Sequence, residues 1–304
     1  MKIAVVGAGA MGSVYAGLLA SAGHEVTAVD VNAEHVEAIR ARGLRVSGVS
    51  GDRTVRIDAT TEPGEVGEVE LVVVATKSMA ARAAAESAAP LIGAGTTVLT
   101  IQNGLGAADV VAEVVGDERL MVGVAGGFGA SIAGPGHAHH HGMELVRLGE
   151  RTGPVTERTE RVADAWRQAG FEVRTYDDVS RLLWEKLICN ACFAGIGGLL
   201  ELTIGEVIGN PDAWSVASRC AQETLDVGRA RGVALDIPDC DAYVLAYGRA
   251  IPDARPSLLL DLLAGRPTEV EWINGSVPRE GAKVGVPAPT NELVTRLVLA
   301  KEAR

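Results

Sequence analysis

The chain has 304 residues, 47% of them hydrophobic and 22% charged, with a formal net charge of −11 and a pI near 5.1. That length exceeds what one hydrophobic core usually spans, so two well-packed domains are expected, and the acidic balance argues against a nucleic-acid or anionic-membrane partner. Four cysteines in so long a chain do not make a disulfide framework, Met1-Lys2 leaves no room for a signal peptide, and no apolar run reaches about 18 residues, so a soluble cytoplasmic protein with no membrane partner is expected.

Residues 3–6, IAVV, are a short unbroken apolar run suited to a strand buried on both faces, and Gly7, Gly9 and Gly12 follow at G-x-G-x-x-G spacing. Helix formers fill 13–22 and Gly23 closes them, so Gly7-Ala8-Gly9-Ala10-Met11-Gly12 reads as the strand-to-helix turn that holds a dinucleotide pyrophosphate. Gly7 allows the tight turn, Gly9 lets the phosphates reach the backbone, and Gly12 lets helix and strand pack closely. The plain alternative is a glycine turn in some other parallel α/β unit. A second strand, 25–29, ends in Asp30, where an acid accepts hydrogen bonds from ribose hydroxyls and repels a 2′-phosphate. No Arg or Lys follows at 31–33, so NAD is favoured and NADP is the alternative. Asp30 also suits the N-cap of a helix from 33 onward.

That helix, 33–42, ends at Gly43, and strand-like pieces follow at 44–46 and 54–57. The run 69–76, VELVVVAT, delivers Lys77 to the carboxyl end of a strand, which is where open parallel sheets bind ligands. A helix at 79–89 leads to a strand at 96–101 ending in Gln102-Asn103-Gly104, so two successive strands present polar side chains at one sheet edge. A strand at 120–124, turns marked by glycines between 126 and 136, and late strands at 143–148 and 171–175 around a helix at 154–168 complete a doubly wound parallel sheet. Residues 176–178 mark the boundary, and from 179 on the strand signal gives way to helical periodicity at 180–195, 212–231, 241–248, 257–264, 270–281 and 291–303. The fold class is therefore α/β: a Rossmann domain over 1–177 and an all-α domain over 178–304, the second serving substrate binding and, in a homodimer, self-association.

Only five of the 28 basic residues are lysines, at 2, 77, 186, 283 and 301. Compositional drift covers Lys2, Lys283 and Lys301. Lys186 and Asn190 share one face of a helix whose neighbours Leu182, Leu183, Leu187 and Ile188 are apolar. An ammonium there is costly unless it has a partner or a task, because desolvation penalises its charge. The task that fits is donation of a hydrogen bond and a proton to a carbonyl oxygen becoming an alkoxide; the plain alternative is a stem snorkelling to solvent. His137, His139, His140 and His141 are flanked by glycines and lack an acid or Cys at ligand spacing, so they read as a solvated loop or strand rather than a metal site. Cys189 and Cys192 make C-x-x-C inside a helix, where small buried hydrophobes are the better reading than a redox pair.

These motifs together resemble the ketopantoate reductase family nearly end to end. The carriers are Gly7 to Gly12, Thr76-Lys77, Gln102-Asn103-Gly104, Trp184-Glu185-Lys186-Leu187 with Asn190, and the segment from Pro256-Ser257 and Asp261 through Arg266-Pro267-Thr268-Glu269 to Asn274-Gly275. The resemblance implies a nicotinamide-dependent reductase of a 2-keto acid, with a Rossmann domain and a helical domain meeting at the site. It implies Lys186 as the catalytic lysine, Glu269 as the acid holding the active-site network, and Asn103 beside nicotinamide and substrate. Asn190 and Ser257 would be substrate hydrogen-bonders, and Lys77 the lysine after the fourth strand. Three positions depart from the family pattern: Ala194, Ile204 and Ala254 stand where it carries polar residues, two of them asparagines. Unmet polar groups on a hydroxylated substrate cost about 1–3 kcal/mol each, so the reaction type is firmer than the substrate. Asp30 is a fourth departure, since the family's usual reductant is NADPH. Two other readings are a β-hydroxyacid dehydrogenase, disfavoured by Pro267-Thr268-Glu269 with Asn274-Gly275, and a catalytically silent nicotinamide-binding sensor, disfavoured by the retention of Lys186, Asn103 and Glu269.

Overall fold

The apolar β-rich runs near the N-terminus become central strands because no polar side chain interrupts them. A computed structural model describes residues 1–127, 129–142 and 145–304. Its strands are β1 (Lys2–Val6), β2 (Glu25–Val29), β3 (Leu44–Gly48), β4 (Arg53–Val55), β5 (Asp58–Thr60), β6 (Val69–Val74), β7 (Ile92–Thr100), β8 (Leu120–Gly126), β9 (Gly129–Gly134), β10 (His137–Gly142), β11 (Leu145–Glu150) and β12 (Glu172–Thr175). Eight of them form one sheet in the order β12-β11-β8-β7-β6-β1-β2-β5. All its pairings are parallel except β8 with β11. Chain order reverses between β1 and β6, and the loops that leave such a switch point frame a ligand crevice.

A second sheet, β4-β3-β10-β9, is absent from the sequence reading, which took the glycines between 126 and 136 as turns. Glycine weakens a strand without forbidding it, and here pairing with the histidine strand β10 outweighs propensity. The strand expected from 143 begins at Leu145 among the described residues; 143 and 144 lie outside them. The helix expected over 79–89 is broken into a 3₁₀ turn at Ser78–Ala80, a helix at Ala81–Ser87 and a 3₁₀ turn at Ala89–Leu91 that contains Pro90. Helices Ala107–Val115 and Ile204–Gly209 were not anticipated, the second because six residues offer too little periodicity to read.

The chain divides into two compact units, the first comprising Met1–Gln102 and Ala107–Val179, the second Asn103–Gly106 and Ser180–Arg304. The four residues 103–106 thus leave the N-terminal half and belong with the helices, which a single boundary near 177 does not provide for. In the second unit Val179–Leu200 is the longest helix. It is long and apolar enough to cross a membrane, yet most of it is buried, and Leu187, Ile188, Cys192, Phe193 and Ile196 are part of the unit's core. Lys301 closes its C-terminal end by donating to the carbonyls of Gly198 and Leu199, both at 3.1 Å, so this lysine has a structural task and is not explained by compositional drift. Cys189, Cys192, Cys220 and Cys240 are free thiols in that core. Burial pushes Cys189 and Cys240 up to about 12, so they remain neutral and act as small hydrophobes.

Candidate active site

The turn after β1 shows why each glycine is needed. Gly7 has φ +94, its N–H donates to the Val29 carbonyl at 2.8 Å, and a Cβ there would stand 2.6 Å from the Thr76 nitrogen. A Cβ on Gly12 would fall on the Gly7 carbonyl oxygen, well inside the 3.0 Å that real Cβ atoms keep. Gly9 differs, since nothing lies within 4 Å of the place its Cβ would take. It is the N-cap of the helix Ala10–Ser21, with no side-chain cap and no acid in the first turn. The helix's first N–H groups have no intrahelical acceptor, and the dipole favours an anion beside open space. Residues 7–12 therefore fit a dinucleotide pyrophosphate.

Asp30 follows β2 directly and is half-buried. Its N–H donates to the Thr60 carbonyl at 3.2 Å, and its Oδ1 accepts the Asn32 N–H at 2.9 Å. The helix cap is Asn32, whose side chain accepts from the His35 N–H, so the N-cap alternative for Asp30 is corrected: the acid shapes the turn and the amide caps the helix. Lys77 follows β6, half-buried, and caps the short 3₁₀ turn at Ser78–Ala80 through its backbone, with Ala80 N–H donating to the Lys77 carbonyl at 2.9 Å.

Two residues that sequence reasoning passed over brace this turn. Ser13 donates from Oγ to the Ala8 carbonyl at 2.7 Å and lies 3.1 Å from His35 Nε2, while Gly136 N–H donates to His35 Nδ1 at 3.1 Å. Because Nδ1 accepts, the proton of neutral His35 sits on Nε2 and is given to Ser13, whose own proton goes to Ala8. No local pattern announces this, since Gly136 is 101 positions from His35. Burial pushes His35 below its ordinary 6.5, against a smaller opposing pull from Asp30, and burial likewise lowers His24 and His140. Above 6.5 folded and unfolded chains are both neutral at these rings and the full stability is present; as pH falls, the unfolded chain takes up protons first, so stability declines until the folded rings also protonate. Thermal unfolding followed from pH 8 to 5 should show Tm falling below about pH 6.5, and falling less in His35→Asn, which keeps an acceptor for Gly136 but does not titrate. Equal falls in the two proteins would refute the assignment.

In the second unit, Val179–Leu200 carries Lys186 and Asn190 one turn apart, both half-buried beside buried Leu187 and Ile188. Glu269, only 9% exposed, accepts at Oε2 from Asn103 Nδ2 at 3.2 Å, a bond between residues 166 positions apart. The expected helix 270–281 begins instead at Ser276, because the N–H groups of Trp272 and Ile273 both turn back to the Glu269 carbonyl at 3.0 Å and Gly275 N–H reaches Val270. This turn is pinned to the long helix by buried Asn274, whose Nδ2 donates to the Ala191 carbonyl and to Asn291 Oδ1, each at 2.9 Å. Asn291 is held in turn by Glu223. Asn190, next to Ala191, thus shares a frame with Glu269. Asn274 was part of the quoted family segment but had no role in it. Ser257 stands exposed as the first residue of Ser257–Leu263. Ala194 and Ile204 are buried in the unit's apolar core, Ala254 packs against it, and Ile204 N–H donates to the Ala254 carbonyl at 3.0 Å.

The four histidines lie along β10 and meet hydroxyls: Ser47 Oγ is 2.8 Å from His137 and 3.0 Å from His139, His140 bonds Ser50, and His141 bonds Ser131. Among the described residues no group of three or more His, Cys, Asp or Glu is placed to hold a metal ion.

Residues 3–153 match the family model for ketopantoate reductase PanE/ApbA, and residues 178–302 match the model for its C-terminal part. Over 303 residues the chain is 33% identical to 2-dehydropantoate 2-reductase of Pyrococcus abyssi, covering all of this chain and 98% of the relative. The crystal structure of 2-dehydropantoate 2-reductase from Geobacter metallireducens is similar with a TM-score of 0.92 at 33% identity, covering 99% of each chain. D-mandelate dehydrogenase, in a ternary structure with NADH and anilino(oxo)acetate, is similar with a TM-score of 0.91 at 28% identity, covering all of this chain and 98% of that one.

Proposed function

Because the chain belongs to the ketopantoate reductase family, whose members are NAD(P)-dependent oxidoreductases, we propose that it reduces a 2-keto acid less polar than ketopantoate to the 2-hydroxy acid, with NADH as the favoured reductant. The observation that carries the reading is the Asn103–Glu269 hydrogen bond, which joins two distant polar residues on the unit bearing Lys186 and Asn190. When bound, the reduced nicotinamide supplies the hydride. Residues 7–12 hold the pyrophosphate through their backbone, and Asp30 offers its carboxylate to the ribose. Lys186 donates to the keto oxygen, steadies the negative charge that develops there and gives up a proton to it. Asn190 and Ser257 hydrogen-bond the substrate, Lys77 attracts its carboxylate, and Glu269 orients the Asn103 amide beside the reacting carbon.

Apolar Ala194, Ile204 and Ala254 support the substrate class, because a hydroxyl facing them would lose its partners at about 1–3 kcal/mol each. D-mandelate dehydrogenase, named for a 2-hydroxy acid that carries a phenyl group, has the same architecture and supports it too. The test is a panel of ketopantoate, phenylglyoxylate and branched aliphatic 2-keto acids, each with NADH and NADPH. At least one apolar keto acid should match ketopantoate in kcat/KM, and NADH should exceed NADPH, with Asp30→Ala moving the ratio toward NADPH. A lead for ketopantoate of more than about tenfold, roughly 1.4 kcal/mol, over every apolar acid would overturn the substrate class. Equal or better use of NADPH would overturn the cofactor preference.

A further inference from the structure

The link between Asn103 and Glu269 depends on a residue that no role above uses. Residues 103–106 follow β7 in the chain yet belong with the helical unit, and Trp272 is where they attach. Leu105 N–H donates to the Trp272 carbonyl at 2.9 Å. Gly104, at φ +78, passes so close to that same carbonyl oxygen that a Cβ would fall on it. Gly106, at φ +102, faces the indole, with its Cβ position 3.2 Å from Trp272 Cζ3. The indole is held from its other neighbours as well: the Arg279 guanidinium sits 5.8 Å from the ring centroid and its Nη1 donates to the Glu271 carbonyl at 3.1 Å. Trp272 also holds the acid directly, since its N–H donates to the Glu269 carbonyl at 3.0 Å. One residue therefore grips both partners of the Asn103–Glu269 bond, the asparagine's loop by carbonyl and ring, the glutamate by N–H.

We propose that Trp272 is a positioning residue that clamps the 103–106 strap so that the Asn103 amide is presented to the reacting substrate in one orientation. The proposal rests on the placement of Asn103 in the active site given above, and it adds the device that fixes it. A half-buried indole between Gly106 and the Arg279 guanidinium has little freedom, whereas a small side chain at 272 would leave the strap held only by the Leu105 backbone bond and the Asn103–Glu269 bond itself. The clamp acts on orientation and not on affinity, so its loss falls on kcat and spares dinucleotide binding.

The experiment combines hydrogen exchange with kinetics on Trp272→Ala, Trp272→Phe and Gly104→Ala. In the protein without added dinucleotide, exchange at the Leu105 amide should rise about tenfold or more in Trp272→Ala, rise also in Gly104→Ala, and return to within about threefold of the parent in Trp272→Phe. On the best keto acid from the panel, Trp272→Ala should lose about 10- to 100-fold in kcat while NADH Kd moves less than about threefold, and Trp272→Phe should recover most of the loss. In an Asn103→Ala background the Trp272→Ala loss should vanish, because a clamp has nothing to orient once the amide is gone. Unchanged exchange across 103–106 in Trp272→Ala, or losses that multiply when Asn103→Ala and Trp272→Ala are combined, would overturn the proposal. Exchange that behaves as expected in a protein reducing none of the keto acids would support the clamp and sink the functional reading, so the two failures are distinguishable.

Discussion

Lys186→Ala is expected to lower kcat by about 10² to 10⁴ on the best keto acid, the range for a positioned acid or oxyanion donor. The charge on the keto oxygen exists only as the barrier is crossed, so a cation fixed beside it lowers the barrier more than it tightens the ground state. The loss should appear in kcat more than in KM, and NADH Kd should stay nearly constant because the glycine turn lies in the other unit. Lys186→Arg should not rescue: a guanidinium keeps its charge but releases no proton near neutral pH, and its planar fork needs a different approach. Near-normal turnover by Lys186→Ala would reduce this lysine to a snorkelling side chain and move the proton donor to Lys77.

The second large effect separates two glycines that the motif treats alike. Gly12→Ala sets a methyl group on the Gly7 carbonyl oxygen, backbone against backbone with no flexible side chain to give way, so helix and strand must part. A cost of about 3 kcal/mol or more follows from overpacking at so rigid a contact, which for a unit of this size is a fall in Tm of roughly 6–12 °C. Gly9→Ala places its methyl group in empty space, so Tm should stay within about 2 °C of the parent. That same space is what a pyrophosphate would use, and NADH Kd should rise about tenfold or more. Thermal melts beside fluorescence titrations with NADH decide it; two variants that lose stability equally would show that Gly9 has only a structural part.

Where the glycine turn, Asp30, Lys77 and the paired Lys186 and Asn190 stand on their elements follows from local spacing in the sequence: a strand followed by a fixed glycine pattern, a strand end, an i, i+4 helix face. What stayed hidden depends on distance in the chain. Nothing near Ser13 announces that His35 and Gly136 will lock the Ala8 carbonyl, and nothing near Trp272 announces a bond to Leu105. The false helix over 270–275 has the same origin. Its residues satisfy helical periodicity, but the Glu269 carbonyl takes two N–H groups at once and closes a tighter turn. The histidine stretch reads from sequence as a loop or a strand without a choice between them, since its pairing with β3 and β9 is set by partners that carry weak strand signals of their own.

The membership of residues 103–106 in the helical unit also bears on how this enzyme can be recombined. A chimera cut cleanly at residue 177 would join a strap from one parent to a tryptophan and glutamate from another, and the donor of the N-terminal half would bring an asparagine shaped for a foreign socket. Exchange of 103–106 together with 180–304 keeps the strap with its own anchor. Specificity for the keto acid should then travel with that composite segment, while preference between NADH and NADPH stays with the parent that contributes Asp30.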